Sequence, residues 1–328
     1  MGSQPEDLSP APLPSPRPGP LPFGLTWSDL VDVLPAGAVR RRAAESHVKR
    51  GEHQGGHPSV ITTLSYEAPA GHPRRTTLFF KRNPHEAREG ERHRFLARRG
   101  VPVPRLAVCV EREHEEVLGL ELLPTIGVAR ADVDDLLRLT AALNAVTDVP
   151  PAIARTRPGQ PQDTFERLLA RALDRVGALH AEHAGAPWLD TYRRALPVHR
   201  GLPRALTHGE LAVQQVGRTE DGMLVVLDLA TLAERARFAD IANLLAAPGL
   251  TAAPTDRALF VAYLGHLAGP GRVPSPVEDA WTELQLTRFV QGVEALPWHV
   301  GPGRDAELRE RLRTLAADHR AVLGLLGA

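Results

Sequence analysis

The sequence predicts an α+β fold in two parts: a small antiparallel sheet with one helix, then a larger, mainly helical part that a polar hairpin interrupts. Three observations carry this expectation. Two runs rich in β-branched and aromatic residues, Ser59–Ala68 and Thr76–Arg82, flank the turn residues Gly71, His72 and Pro73. From Asp132 onward, leucine and alanine recur at three- and four-residue spacing. Between 205 and 230 that rhythm stops, and Glu220, Asp221 and Gly222 give a hairpin signal between two short runs, Gln214–Gly217 and Met223–Leu229.

The elements follow in order along the 328 residues. Residues 1–24 are a proline-rich leader that cannot build a core and is expected to be disordered or polyproline-like. Residues 25–124 form the sheet part and residues 125–328 the helical part. The first begins with a short helix over 25–45, with Ser28 as N-cap before Leu30, Val31, Val33 and Leu34. After the two strands, His85–Arg99 reads as a helix with Glu89, His93 and Leu96 on one face. The prolines of Val101–Arg105 end it, and Leu106–Glu111 and Val117–Leu123 read as strands. In the second part, Asp132–Val146 and Asp163–His183 are helices, separated by a proline-bearing surface loop at 148–162. After the hairpin, helices return at roughly 238–247, 255–268, 276–295 and 304–326.

Composition narrows the function. Hydrophobic content of 43%, charged content of 24% and a formal net charge of zero describe an ordinary globular protein and give no basis for bulk nucleic-acid or anionic-membrane binding. The single cysteine, Cys109, excludes an internal disulfide framework and a multi-cysteine zinc site, and a reducing cytoplasm is the expected location. No apolar run approaches the roughly 18 residues of a membrane span. Of the 39 basic residues only Lys49 and Lys81 are lysine.

That scarcity singles out Lys81, which follows Leu78, Phe79 and Phe80 on a strand. A strand lysine can meet nucleotide phosphates as a compact point charge, a task for which arginine is a poor substitute. The competing reading is an edge lysine snorkelling to solvent. A carboxylate on the next helix, Glu89 rather than Glu91, can hold the lysine in place, although it also reads as a solvated helix glutamate. Asp228 closes the apolar run Leu224–Leu227, where a hard oxygen ligand can bind Mg²⁺ or a turn residue can stand. Gly55 and Gly56 precede the first strand and can cover phosphates.

Other groups read as structural. His180 and His183 share a helix at a spacing of three with no third ligand evident. Trp188, Trp281, Trp298 and Phe289 are expected in the helical core, and Glu278, Asp279 and Glu283 on a solvated helix face.

The run His208-Gly209-Glu210-Leu211-Ala212-Val213-Gln214-Gln215, followed by Val225–Asp228 and then Asp240-Ile241-Ala242, resembles the aminoglycoside and choline-kinase-like phosphotransferase superfamily. Lys81, Glu89 and Gly100–Arg105 resemble its N-terminal part, and the likeness spans roughly residues 40–300. It implies a two-lobed protein-kinase-like fold using ATP (or GTP) and Mg²⁺ to phosphorylate a hydroxyl of a small molecule or peptide. Lys81, held by Glu89, would bind the nucleotide phosphates, with Gly55 and Gly56 above them. Gln215 and Asp228 would bind magnesium, Glu210 would orient the acceptor, and Asp240 would support the loop. His208 would structure the loop or act as a base.

The chain departs from that family where it matters. Glu210 stands where the family has Asp, Gln215 where it has Asn, and Ala212 where it often has His. Each lengthened side chain moves its functional group by one methylene, and a misplacement of about 1 Å can cost on the order of 10²-fold in rate. A catalytically impaired, pseudokinase-like binding or partner subunit is therefore the second expectation.

Overall fold

A computed structural model describes residues 18–49, 57–69, 71–129, 132–155, 162–183, 185–246, 255–269, 276–300 and 305–327. The chain forms two compact units. The first takes the described residues up to Glu91 together with Pro104–Leu122, and the second takes Arg92–Val103 together with Leu123 onward. The division thus gives 92–103 to the helical unit, where the sequence alone suggested one boundary at 124.

The first unit is an antiparallel sheet of β1 (Pro18–Gly19), β2 (Val39–Lys49), β3 (Ser59–Glu67), β4 (Pro73–Pro84), β5 (Leu106–Glu111) and β6 (Glu115–Glu121), in the order β1-β2-β3-β4-β6-β5. Strand alternation sends Val60, Leu64, Leu78, Phe80 and Val117 to one face, where they pack with Leu30. The opposite face receives Lys81, paired across β4–β6 with Leu118. The expected helix over 25–45 is not formed. A 3-10 turn at Trp27–Leu30 is capped by Thr26, not Ser28, and Asp29 accepts the Thr26 amide at 2.7 Å. Arginine and alanine favour helix in isolation, but in Val39–Lys49 the ladder to β3 prevails over that preference. Two register shifts and a positive φ of 52° at Arg40 accommodate it.

Helix α1 (Glu89–Arg98) follows a 3-10 turn at His85–Ala87, so Glu89 stands in its first turn and not inside it. Glu89, His93 and Leu96 are all buried, as their shared face requires.

The second unit continues with β7 (Thr125–Ile126), α2 (Val133–Asn144), α3 (Pro151–Ala154), α4 (Gln162–Leu179), α5 (Trp188–Arg200) and β8 (Arg204–Thr207). Then come β9 (Val216–Arg218), β10 (Leu224–Val226), β11 (Ala233–Ala236), α6 (Ala239–Leu245), α7 (Asp256–Ala268), α8 (Val277–His299) and α9 (Asp305–Leu325). The β9–β10 hairpin adds β7 as a third strand, and β8 pairs with β11. One core gathers α2, α6 and α7 around Phe238, Phe260 and Tyr263, beneath the hairpin residues Val216 and Val226. The other packs Leu169, Trp188, Phe289, Val290 and Leu312 between α4, α5, α8 and α9.

Several expectations change here. The loop at 148–162 contains the short helix α3, begun by Pro151 at its first position. His180 and His183 do not share a helix: α4 ends at Leu179, and His183 lies in the 3-10 turn Ala181–His183 against the Trp188 ring. Among the described residues no three His, Cys, Asp or Glu side chains gather as a metal site. Trp188 and Phe289 are core residues, but Trp298 is 67% exposed at the end of α8. Glu283 is not solvated: it is buried and takes a two-pronged contact from Arg237, with Nε–Oε1 at 2.9 Å and Nη2–Oε2 at 2.7 Å. Among the described residues no helix is long and apolar enough to cross a membrane.

Candidate active site

In the first unit, β4 projects Lys81 and Asn83 from the same face because they are two residues apart. The Lys81 ammonium meets Glu89 Oε2 at 2.8 Å, and the Glu89 side chain is fully buried. Burial of this pair removes the snorkelling reading, because the charge is turned inward. Of the two glutamates it is Glu89 that meets the lysine, while Glu91 is half-buried and faces Arg88 at 3.6 Å. Asn83 donates its Nδ2 to Glu89 Oε2 at 2.7 Å and to Glu116 Oε1 at 3.4 Å. Glu116 on β6 then accepts the amides of Glu89 at 2.6 Å and Gly90 at 3.2 Å. Sequence reasoning passed over Asn83 and Glu116. The available signal was Asn83 at two-residue spacing from Lys81; nothing local marked Glu116. Gly55 and Gly56 lie outside the described residues.

In the second unit, β8 ends at Thr207 and releases the loop that carries His208, Gly209 and Glu210. Asp240, in the first turn of α6 and fully buried, accepts the amides of His208 at 2.8 Å and Gly209 at 3.0 Å. Asn144 Nδ2 adds a third bond to Asp240 at 3.0 Å, and Tyr263 orients Asn144 by donating to its Oδ1 at 2.9 Å. Burial among these groups pushes the Tyr263 hydroxyl far above its usual pKa, so it stays protonated as a donor.

His208 is buried with both ring nitrogens engaged. Its Nδ1 accepts the Glu210 amide at 3.3 Å, which places the proton on Nε2, and Nε2 donates to the Leu227 carbonyl at 2.6 Å. This arrangement gives His208 a loop-structuring role and leaves no nitrogen for a general base. Gly209 adopts a φ of +91°, and a Cβ there would lie 2.5 Å from Arg235 Nη1. Arg235 is anchored on the Thr231 carbonyl at 2.8 Å and Thr207 Oγ1 at 3.2 Å. Burial lowers its pKa while the carboxylates of Asp240 and Glu210 oppose that shift. Glu210 itself is exposed beyond this packed base.

The hairpin fixes the remaining pair. Val226 lies opposite Val216, and the next amide, Leu227 N, donates to the Gln215 carbonyl at 2.8 Å. Gln215 and Asp228 therefore leave the same end of the ladder. Gln215 Oε1 is buried and has no hydrogen-bond partner among the described residues, an arrangement that costs free energy unless a cation or water meets it. Asp228 is exposed at φ 56° and ψ 62°, starting the 3-10 turn Leu229–Thr231. Arg92, from the second turn of α1, holds that turn by donating to the Leu229 carbonyl at 3.1 Å and to that of Ala230.

These two units have the fold of solved small-molecule phosphotransferases. An ethanolamine kinase from Plasmodium vivax matches with a TM-score of 0.53 at 12% identity, over 85% of this chain and 83% of that one. A choline/ethanolamine kinase family protein from Mesorhizobium loti matches with a TM-score of 0.53 at 14% identity, over 84% and 92%. A spectinomycin phosphotransferase, solved in complex with ADP and spectinomycin, matches with a TM-score of 0.52 at 9% identity, over 86% and 92%. At these identities the likeness is one of fold. No protein-family model matches the sequence, and no curated protein matches it.

Proposed function

We propose that this protein is an ATP- and Mg²⁺-dependent phosphotransferase acting on a hydroxyl of a small molecule or peptide. The observation that carries this reading is the buried Lys81–Glu89 pair at 2.8 Å, on the sheet of a phosphotransferase fold. A chain with one other lysine, Lys49, among its 39 basic residues places a lysine here and turns it away from bulk water. Such a residue suits the non-bridging oxygens of a nucleotide.

Gln215 and Asp228 fit a magnesium ion. Both offer hard oxygen donors, and the buried Gln215 Oε1 has no hydrogen-bond partner among the described residues. Bound there, the ion would neutralise charge that develops on the phosphates. Glu210 would accept a hydrogen bond from the acceptor hydroxyl and take its proton as the new oxygen–phosphorus bond forms. The bond between the γ-phosphorus and the β,γ-bridging oxygen breaks, and ADP leaves with that electron pair. Asp240, His208 and Asn144 would keep the Glu210 backbone in place and touch no reactant.

The test is a thermal shift with ATP and Mg²⁺. A ligand at 100 times its dissociation constant stabilises by about 2.7 kcal/mol, and Lys81→Ala should abolish that gain. Unchanged nucleotide affinity in Lys81→Ala would overturn the assignment.

The lengthened Glu210 and Gln215 favour a second reading, a kinase-fold binding or partner subunit without turnover. The double variant Glu210→Asp/Gln215→Asn separates the two. Activity lost in that variant supports the enzyme with its longer side chains, and activity created by it supports the retired kinase.

A further inference from the structure

The Lys81–Glu89 pair does not stand alone in its unit. Four adjacent polar side chains are buried together: Lys81, Asn83, Glu89 and Glu116. Of the two carboxylates, that of Glu89 meets the ammonium directly, at 2.8 Å. Glu116 is compensated differently. Its two oxygens accept the Glu89 and Gly90 amides at 2.6 and 3.2 Å, the otherwise unsatisfied donors at the start of α1. Gly90 allows this close approach of helix to sheet, because a Cβ there would lie 2.5 Å from Cys109 Sγ and 3.1 Å from Leu118 Cδ2. Asn83, directly opposite Glu116 in the β4–β6 register, bridges the two carboxylates.

We infer that Glu116 is a positioning residue that sets the Lys81 ammonium, acting through the first turn of α1 and Glu89. The causal chain is short. Glu116 pins the amide of Glu89, the same residue's carboxylate meets Lys81, and Asn83 limits Glu89 Oε2 to one place. Moving the helix start by a fraction of a hydrogen-bond length moves the Lys81 partner with it. The inference rests on the proposed nucleotide role of Lys81 for its functional meaning but not for its geometry.

Glu116→Gln is the informative change. It preserves volume but replaces one acceptor with an NH₂ group, which must then face a backbone N–H or turn away. Glu116→Asp keeps both acceptors on a shorter arm and serves as the conservative partner. The first readout needs no nucleotide: pulse acetylation of the full chain with an N-hydroxysuccinimide acetate, with Lys81 modification followed by peptide mass spectrometry. Glu116→Gln is expected to raise the Lys81 labelling rate by about 10-fold, the equivalent of one charge-assisted hydrogen bond, with Glu116→Asp in between. The second readout is the dissociation constant for ATP with Mg²⁺, expected to rise about as much in Glu116→Gln and not to rise further when Lys81→Ala is already present.

A lower melting temperature with unchanged Lys81 labelling would reduce Glu116 to a helix cap and overturn the inference. Equal, additive effects on nucleotide affinity in the wild-type and Lys81→Ala backgrounds would do the same. If the wild-type protein binds no nucleotide while labelling still responds to Glu116→Gln, the positioning role stands and the phosphotransferase reading fails.

Discussion

Asp240 accepts the main-chain amide of His208 at 2.8 Å, so a fully buried carboxylate on α6 carries the backbone of the loop that ends in Glu210. Asp240→Asn keeps the shape but turns one acceptor into a donor opposite the amides of His208 and Gly209. The expected cost is about 2 kcal/mol or more, because a buried donor is left unsatisfied. Urea unfolding of the two proteins side by side measures it, and a change within 0.5 kcal/mol, the usual range for a neutral surface site, would contradict the role.

Gly209 and Arg235 should be energetically coupled. Gly209→Ala places a Cβ 2.5 Å from the guanidinium and demands a positive φ from an alanine. The backbone share is about 1 kcal/mol, and the steric share comes on top. In an Arg235→Ala background only the backbone share should remain. A double-mutant cycle read by denaturation midpoint therefore gives a smaller Gly209→Ala penalty in that background.

The Arg237–Glu283 pair joins the start of α6 to α8 with Nη2–Oε2 at 2.7 Å, and the guanidinium also lies over the Phe238 ring at 4.6 Å. Arg237→Ala strands a buried carboxylate and should cost about 3 kcal/mol. Replacing both partners with methionine and leucine should cost less than that single change, since no charge is left behind. Differential scanning calorimetry distinguishes the two outcomes.

His199 gives a pH dependence with a definite sign. Burial, then the Arg204 and Arg200 guanidiniums, push it down to about 4. Its folded pKa therefore lies below the unfolded value near 6.5. Between these values the unfolded chain takes up a proton that the folded chain refuses, so stability is complete above 6.5 and falls as the pH drops toward 4. The loss should be on the order of 2 kcal/mol after allowance for partial exposure. His199→Gln should flatten urea midpoints across that window, and an unchanged slope would refute the assignment.

The sequence was legible where local chemistry and tertiary role coincide. Asp221-Gly222 turns the hairpin, as its dipeptide demands, and Asp240 supports the loop from the first turn of α6. Lys81 was visible because lysine is scarce here and its neighbours are apolar. What stayed hidden depends on partners far along the chain. The stretch 25–45 reads as helix from its Ser28 cap signal and the apolar spacing of Leu30, Val31, Val33 and Leu34, yet its later residues belong to Val39–Lys49, a strand that forms only through β3. The short β8–β11 pair has no pattern of its own, and its four-residue ladder joins residues that lie 26 or more positions apart. Nothing local in the sequence marks Glu116. Its significance comes from two amides 26 and 27 residues away that only the folded sheet brings to it.

The left-handed backbone at Asp228 constrains how its chemistry can be interrogated. At φ 56° a side chain without a polar group close to the main chain is strained, so Asp228→Ala would mix a conformational penalty of about 1 kcal/mol with the loss of charge. Asparagine tolerates the same bend and keeps nearly the same shape, while glycine relaxes it. A library randomised at 228 and selected only for a folded chain should therefore be enriched in aspartate, asparagine and glycine. Among these three only aspartate carries the negative charge and two acceptor oxygens, so a ligand response that separates it from asparagine reports on the carboxylate and not on the backbone.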